Sequence, residues 1–219
     1  MLDLLLPPAC LACRAAIRGG ERLCRSCRAE LPWLPPDRCE RCGLPRPCGA
    51  SCPAEHAAFE RSWAPLAYDA TARALVHALK LRGLTSVADL MAAQIAATAP
   101  PELLADGALV PVPGNARRRR ARGFDPAESI ARGLRRRTGL QMRPLLRAAG
   151  GGSAQAGAGR RQRLRRGGVS VEPRTRVPDR VVLVDDVHTT GATLDACARA
   201  LRAAGAHAVV AVIYARTLA

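Results

Sequence analysis

The sequence predicts an α/β protein: a parallel sheet with helices on both faces, preceded by a small cysteine-rich module. Three observations lead there. Eight of the nine cysteines fall within residues 10–52. Beyond about residue 60, short apolar runs alternate with helix-length amphipathic segments, the pattern of strands buried on both faces of a sheet. Finally, the run VVLV at 181–184 is followed at once by Asp185, Asp186 and a Thr/Gly-rich turn. In a parallel sheet that order brings carboxylates to the carboxyl ends of the strands, where ligands bind. The expected division is 1–60 for the cysteine module and 61–219 for the α/β domain.

The cysteines read Cys10-x2-Cys13, Cys24-x2-Cys27, Cys39-x2-Cys42 and Cys48-x3-Cys52. The start, MLDLLLPPAC, carries an acid at Asp3 and no basic stretch, and Pro7 and Pro8 close its apolar run. No signal peptide and no transmembrane segment is expected, and the expected location is cytoplasmic. In that setting, paired short spacings indicate zinc before disulfides. A C-x2-C turn points two thiolates inward, and two such turns complete a tetrahedral shell with no open position for catalysis. One or two structural zinc ions are therefore expected. Grouping in chain order places Cys10, Cys13, Cys24 and Cys27 on one ion and Cys39, Cys42, Cys48 and Cys52 on the other; an interleaved pairing uses the same ligands and stays open. So short a segment buries little core unaided, so the metal supplies folding free energy. Cys197 stands far away on a helical segment and is expected in the core.

Further elements follow in order. TARALVHALKLR (71–82) and SVADLMAAQIAATA (86–99) have apolar residues at helical spacing, and Pro100 and Pro101 stop the second. ALVPVP (108–113) is a short buried strand entering a proline-fixed loop. PAESIARGLRRRTG (126–139) is a helix with Asp125 as N-cap, Pro126 at its first position and Gly139 at its end. Residues 147–168 are rich in Gly, Ala and Arg without apolar periodicity and read as a basic loop. A strand (VVLVDD), a helix (TLDACARALRAAG) and a last strand (AVVAVIYA, 208–215) complete the pattern.

Charge is concentrated. The formal net charge is +16, and residues 114–180, with 19 basic and 4 acidic side chains, carry +15 of it. A local excess of this kind suits a polyanionic ligand or strand, and sequence-independent single-stranded DNA is one such partner. Aromatic residues make up only 3% of the chain, which leaves few platforms for base stacking.

The turn TTGAT (189–193) opens a helix, where free backbone N–H groups and the helix dipole suit a phosphate. Thr189, Thr190 and Thr193 add hydroxyls, and Gly191 permits close backbone approach. Asp185 and Asp186 beside that cradle can hold sugar hydroxyls or a hydrated Mg2+. The combination asks for a phosphorylated sugar. Neither G-x-x-x-x-G-K-[ST] nor G-x-G-x-x-G is present at this strand end.

VVLVDDVHTTGAT resembles the signature with which type I phosphoribosyltransferases bind 5-phosphoribosyl 1-pyrophosphate (PRPP). The order of a double zinc ribbon, Lys80-x-x-Gly83, V-P-x-P at 110–113, Arg120-Ala121-Arg122-Gly123-Phe124 and this signature is similar to the ComF family along the whole chain. The resemblance implies a type I phosphoribosyltransferase-like sheet behind the zinc ribbon. It also implies that PRPP or a ribose 5-phosphate ligand binds with Mg2+, and a link to DNA uptake and its machinery in natural transformation. It assigns Asp185 and Asp186 to the ribose hydroxyls, and Thr189, Thr190, Gly191, Ala192 and Thr193 to the 5′-phosphate. Val112 and Pro113 go to the pyrophosphate loop, with Arg120, Arg122 and Arg163, and also Arg119, as candidates for stabilising the leaving group. Where the family usually continues with Asn-Gln, this chain has Asp125-Pro126, and the family's Q-x-x-L-x-x-x-x-R is retained in part as Gln155, Ala158 and Arg163. The alternative is a non-catalytic module of the same fold that binds single-stranded DNA through its arginine-rich segment. Lys80, the sole lysine, is read on its own as a solvated residue at a helix end, and His188 is given no acid–base role.

Overall fold

The computed structural model describes residues 8–148, 169–171 and 176–218. Its main sheet has six strands, all paired in parallel: β1 (Arg61–Trp63), β2 (Leu66–Ala67), β3 (Ala108–Pro111), β4 (Gln141–Met142), β7 (Arg180–His188) and β8 (Ala208–Arg216). The order is β1-β8-β7-β3-β4, with β2 continuing the β1 edge along the far end of β8. A separate antiparallel pair joins β5 (Leu146–Ala148) to β6 (Val169–Val171). From β3 the chain runs outward to β4, then returns to β7 on the other side of β3. The carboxyl ends of β3 and β7 therefore flank the crevice where strand order reverses, the ligand position in open parallel sheets.

Helices cover both faces. On one lie α2 (Ala70–Arg82), α3 (Thr85–Thr98) and α5 (Pro126–Thr138), whose Leu75, Leu79, Met91, Ile95, Ile130 and Leu134 pack on Val182, Val184, Val210 and Val212. The α3–α5 approach is close because Gly133 has no side chain; a Cβ there would come within 2.6 Å of the Ala92 Cβ. On the other face α6 (Ala192–Ala203) buries Leu194, Cys197, Ala198 and Leu201 against Val181, Leu183, Ala211 and Ile213. Alternation along β7 thus sends odd and even residues to different layers, as a period of two requires.

The cysteine-rich segment straddles the β1/β2 edge. Cys10, Leu23, Cys27 and Leu31, the last two flanking or within α1 (Arg25–Ala29), join the core on the α3 side. Leu34, Cys42, Ala54 and Phe59 join the core on the α6 side. Between them, Ala67 N–H donates to the Pro32 carbonyl (2.8 Å), and Leu34 N–H to that of Pro65 (2.9 Å), so main-chain groups of the edge are paired. Asp89 of α3 fastens the first half: it meets Arg22 at 3.0 Å, Arg136 at 3.1 Å and Arg137 at 2.8 Å, and these arginines, Arg137 foremost, hold its carboxyl down at about 2.

The expected helices and strands occur within a residue or two of their read bounds, with one difference that bears on function. The strand predicted to end at the acid pair continues to His188, because β8 pairs with it as far as Arg216. A short helix, α4 (Ala116–Arg122), is also present in ARRRRAR, a segment with no apolar periodicity to announce it. It is held by its ends: the Asn115 side chain accepts from Arg117 N–H at 3.0 Å and Arg118 N–H at 3.2 Å, and Gly123 closes it in the left-handed region. Most of the basic segment 147–168, with Gln155, Ala158 and Arg163, lies outside the described residues.

Candidate functional site

The crevice between β3 and β7 is a cavity of about 250 Å³. Val112, Pro113, Asp185, Asp186 and Thr193 line it, together with arginines of α4. Asp186 is 6% exposed, and its Oδ1 accepts from Lys80 Nζ at 2.8 Å. Lys80 is therefore no solvated helix end: the last turn of α2 delivers the only lysine of the chain to a buried carboxylate. Burial raises the Asp186 pKa, and Lys80 opposes that shift. Asp185 is raised further, by burial and by the neighbouring Asp186 charge, while its Oδ1 accepts from Asp186 N–H at 2.8 Å. The adjacent carboxyls offer several acceptor oxygens on one wall of the cavity, while Lys80 and the α4 arginines supply its positive charge, a division that suits a ligand with both hydroxyl and anionic groups.

A third carboxylate fixes the loop after β3. Asp125 caps α5, accepting from Ala127 N–H at 3.1 Å through Oδ1. Its Oδ2 accepts from Gly114 N–H at 2.9 Å. A Cβ at Gly114 would lie 2.8 Å from that oxygen, so only glycine permits this approach. The Val112-Pro113-Gly114 loop is thereby tied to the start of α5.

The candidate arginines separate. Arg118, Arg119 and Arg122 line the cavity, and Arg122 is close enough for its charge to lower the Asp186 pKa. Arg120 is exposed on α4 without lining it. Arg119 and Gly114 also border a neighbouring space of about 440 Å³ with Pro144, Leu146 and Arg147.

The TTGAT turn faces two ways. Thr193 borders the acidic cavity, while Thr190, Gly191 and Ala192 border a second cavity of about 430 Å³ towards Cys52, Phe59 and His188. Gly191 has φ +81° and a Cβ there would meet His188 Nε2 at 2.8 Å, so its identity is fixed twice over. His188 is 3% exposed and lies edge-on to Phe59, with ring centroids 6.1 Å apart. Burial, with the Arg216 charge, lowers its pKa to about 3, which keeps it neutral at neutral pH.

The cysteines form two groups in chain order, Cys10, Cys13, Cys24 and Cys27, then Cys39, Cys42, Cys48 and Cys52, with the sulfurs of each within 4.8 Å of one another. Interleaving is excluded, and all eight are free thiols. Separations of 3.6 Å (Cys13–Cys24) and 3.7 Å (Cys39–Cys52) match the tetrahedral edge of about 3.8 Å that zinc–sulfur bonds of about 2.3 Å impose. Although burial opposes it, N–H groups of Cys24, Cys13 and Ala12 bring the Cys10 thiol down to about 6. Burial likewise opposes ionisation at Cys39, and N–H groups of Cys42 and Arg41 lower it to about 7. Burial and the Cys39 charge push Cys42 up to about 12, so a dication is what allows all four to ionise together. Cys197 is fully buried and pushed up to about 12 by burial and the Asp185 charge, as suits a core thiol.

Residues 1–55 match the double zinc ribbon domain family. Two closed four-cysteine shells are what that description requires, and both fit structural zinc. No curated protein matches the chain. No helix among the described residues is long and apolar enough to cross a membrane.

Proposed function

We propose that the crevice between β3 and β7 binds PRPP and that the protein is a phosphoribosyltransferase of ComF type. One observation carries the reading above others: the adjacent Asp185 and Asp186 stand just past the last β7 residue paired with β3, at the strand-order reversal, a short way before a helix-initiating TTGAT turn. Asp185 and Asp186 accept the ribose 2′- and 3′-hydroxyls. Thr193, which borders the crevice, and the turn Thr189–Ala192, whose last three residues border the second cavity, receive the 5′-phosphate at the start of α6. Val112, Pro113 and the Gly114 N–H region face the pyrophosphate.

The reaction is displacement at C1 of the ribose. The C1–O bond breaks, its electron pair leaves with pyrophosphate, and a nitrogen nucleophile forms the new C1–N bond. Charge grows mainly on the leaving group, so fixed cations nearby are the effective contribution. Arg119 and Arg122 of α4 border the cavity for that purpose, and Lys80 holds Asp186 in place. Hard carboxylate oxygens suit Mg2+, but among the described residues only the cysteine groups assemble three ligands within reach of one ion. Asp185 and Asp186 would help to hold a hydrated Mg2+ bound to the phosphates, and the ion would supply neutralisation of their charge. The space shared by Arg119, Gly114 and Leu146 is room for the acceptor. Reduced tetrathiolate sites suit the cytoplasm, and participation in DNA uptake is the role that the ComF resemblance implies.

Release of pyrophosphate from PRPP and Mg2+ across a panel of nucleobases and amines tests the activity. One observation favours a second reading: α4 presents Arg117, Arg118, Arg119 and Arg120 exposed, a cluster suited to a phosphate backbone. Binding of single-stranded DNA that weakens steeply with salt, without pyrophosphate release from any acceptor, would select it.

A further inference from the structure

Arg216 ends β8 and is 4% exposed, yet no carboxylate among the described residues pairs with it. Its guanidinium instead donates to main-chain carbonyls. Nε reaches Cys42 O at 3.1 Å, and Nη1 reaches His188 O at 3.0 Å, Thr217 O at 2.9 Å, and Thr189 O. One acceptor belongs to a cysteine of the second four-cysteine group. Two others belong to the residues that enter the TTGAT turn. A guanidinium buried without a counter-charge is costly.

The second cysteine group supplies that charge. Four thiolates around Zn2+ carry a formal charge of −2, whereas four thiols carry none. We propose that the second zinc–tetrathiolate centre is the counter-ion of Arg216, and that through Arg216 it sets the conformation of the phosphate-binding turn. Arg216 is a positioning residue: it acts on the turn through the His188 and Thr189 carbonyls. Metal at this centre governs how well the turn binds phosphate, and metal at the first centre does not.

The segment directly after Cys52 also grips the helix behind the turn. Ala58 N–H donates to Asp195 Oδ1 at 2.7 Å, Arg199 Nη2 to His56 O at 3.0 Å, and Arg202 Nε to Ala58 O at 2.6 Å. The β7 exit is thus fastened to Cys42 of the second group through Arg216, and α6 to the segment that follows Cys52. The first group has different attachments: Arg22 donates to Ser86 O at 2.9 Å and pairs with Asp89, both on α3 across the sheet. The fold therefore contains its own control.

The test is amide hydrogen exchange on the zinc-loaded chain and on Cys48→Ala, Cys13→Ala and Arg216→Lys variants, with zinc counted in each. Loss of a charged hydrogen bond is expected to raise exchange at 188–194 by about tenfold or more in Cys48→Ala. Cys13→Ala leaves 188–194 unchanged and raises exchange at the start of α3. Arg216→Lys keeps the charge but loses the fork, and raises exchange at 188–194 with both zinc ions retained. Inorganic phosphate, titrated by calorimetry, weakens in Cys48→Ala and Arg216→Lys and not in Cys13→Ala. Equal exchange at 188–194 in all four proteins overturns the proposal. If Cys48→Ala does not fold, Arg216→Lys decides alone: unchanged exchange at full zinc content overturns it. The phosphate arm rests on the ribose 5-phosphate reading and the exchange arm does not. Altered exchange with no phosphate binding by the unmutated chain therefore removes that reading and leaves the coupling standing.

Discussion

Replacing Asp125 by Asn separates a helix cap from a loop tether. The two carboxylate oxygens have different partners: Oδ1 takes Ala127 N–H at 3.1 Å and Oδ2 takes Gly114 N–H at 2.9 Å. An asparagine has one acceptor oxygen, so its amide must either lose the cap or set an NH2 group against an N–H donor. A charge-assisted hydrogen bond contributes about 1.5–3 kcal/mol. Part of that loss is offset, because the Asp125 charge raises the pKa of both Asp185 and Asp186 and its removal relieves them. The net expectation for Asp125→Asn is a loss of about 1–2 kcal/mol. Asp125→Ala forfeits the cap as well, a further loss of about 1 kcal/mol. Urea unfolding of the zinc-loaded protein measures both. Asn indistinguishable from the parent, or Ala no worse than Asn, would refute the two-oxygen tether.

Removing Lys80 as Lys80→Met leaves buried Asp186 without its cation, and the partial exposure of Lys80 limits the cost to about 1–3 kcal/mol at pH 8. Because the Asp186 pKa is raised, the carboxyl protonates as pH falls, so urea unfolding at pH 5 should show a smaller loss than at pH 8. His188 titrates in the opposite sense: its folded pKa of about 3 lies below the ordinary 6.5, so stability declines as pH falls from about 6.5 towards 3. At pH 5 that decline is about 2 kcal/mol, and His188→Leu should abolish it in a comparison of unfolding at pH 7.5 and 5. Elemental analysis should find two zinc ions per chain, falling to one in Cys13→Ala, and chelation should lower the melting temperature sharply.

The parts of this fold that repeat a local rule were legible in the chain. Cysteine spacing announced both shells, and apolar periodicity announced α2, α3, α5, β7 and β8. The cap at Asp125 was legible too, but its second bond, to Gly114 eleven residues earlier, depends on how β3 and α5 are docked. Lys80 is a similar case: it lies 106 residues from Asp186, and no local pattern records a contact made across a helix–sheet interface. The helix α4 was missed because it buries no residue and is held by its caps alone; Asn115 and Gly123, seven positions of good helix formers apart, were the available signal. Arg216 gave no signal at all, since its four carbonyl partners come from three separate stretches of chain.

Calorimetric titration with PRPP and Mg2+ of the zinc-loaded chain and of an Asp185→Asn/Asp186→Asn variant tests the central claim most directly. The account predicts saturable binding to the former and binding weakened by about a hundredfold or more in the latter, since both charged acceptors of the ribose hydroxyls are lost. No binding by the unmutated chain, or equal binding by both, would contradict it.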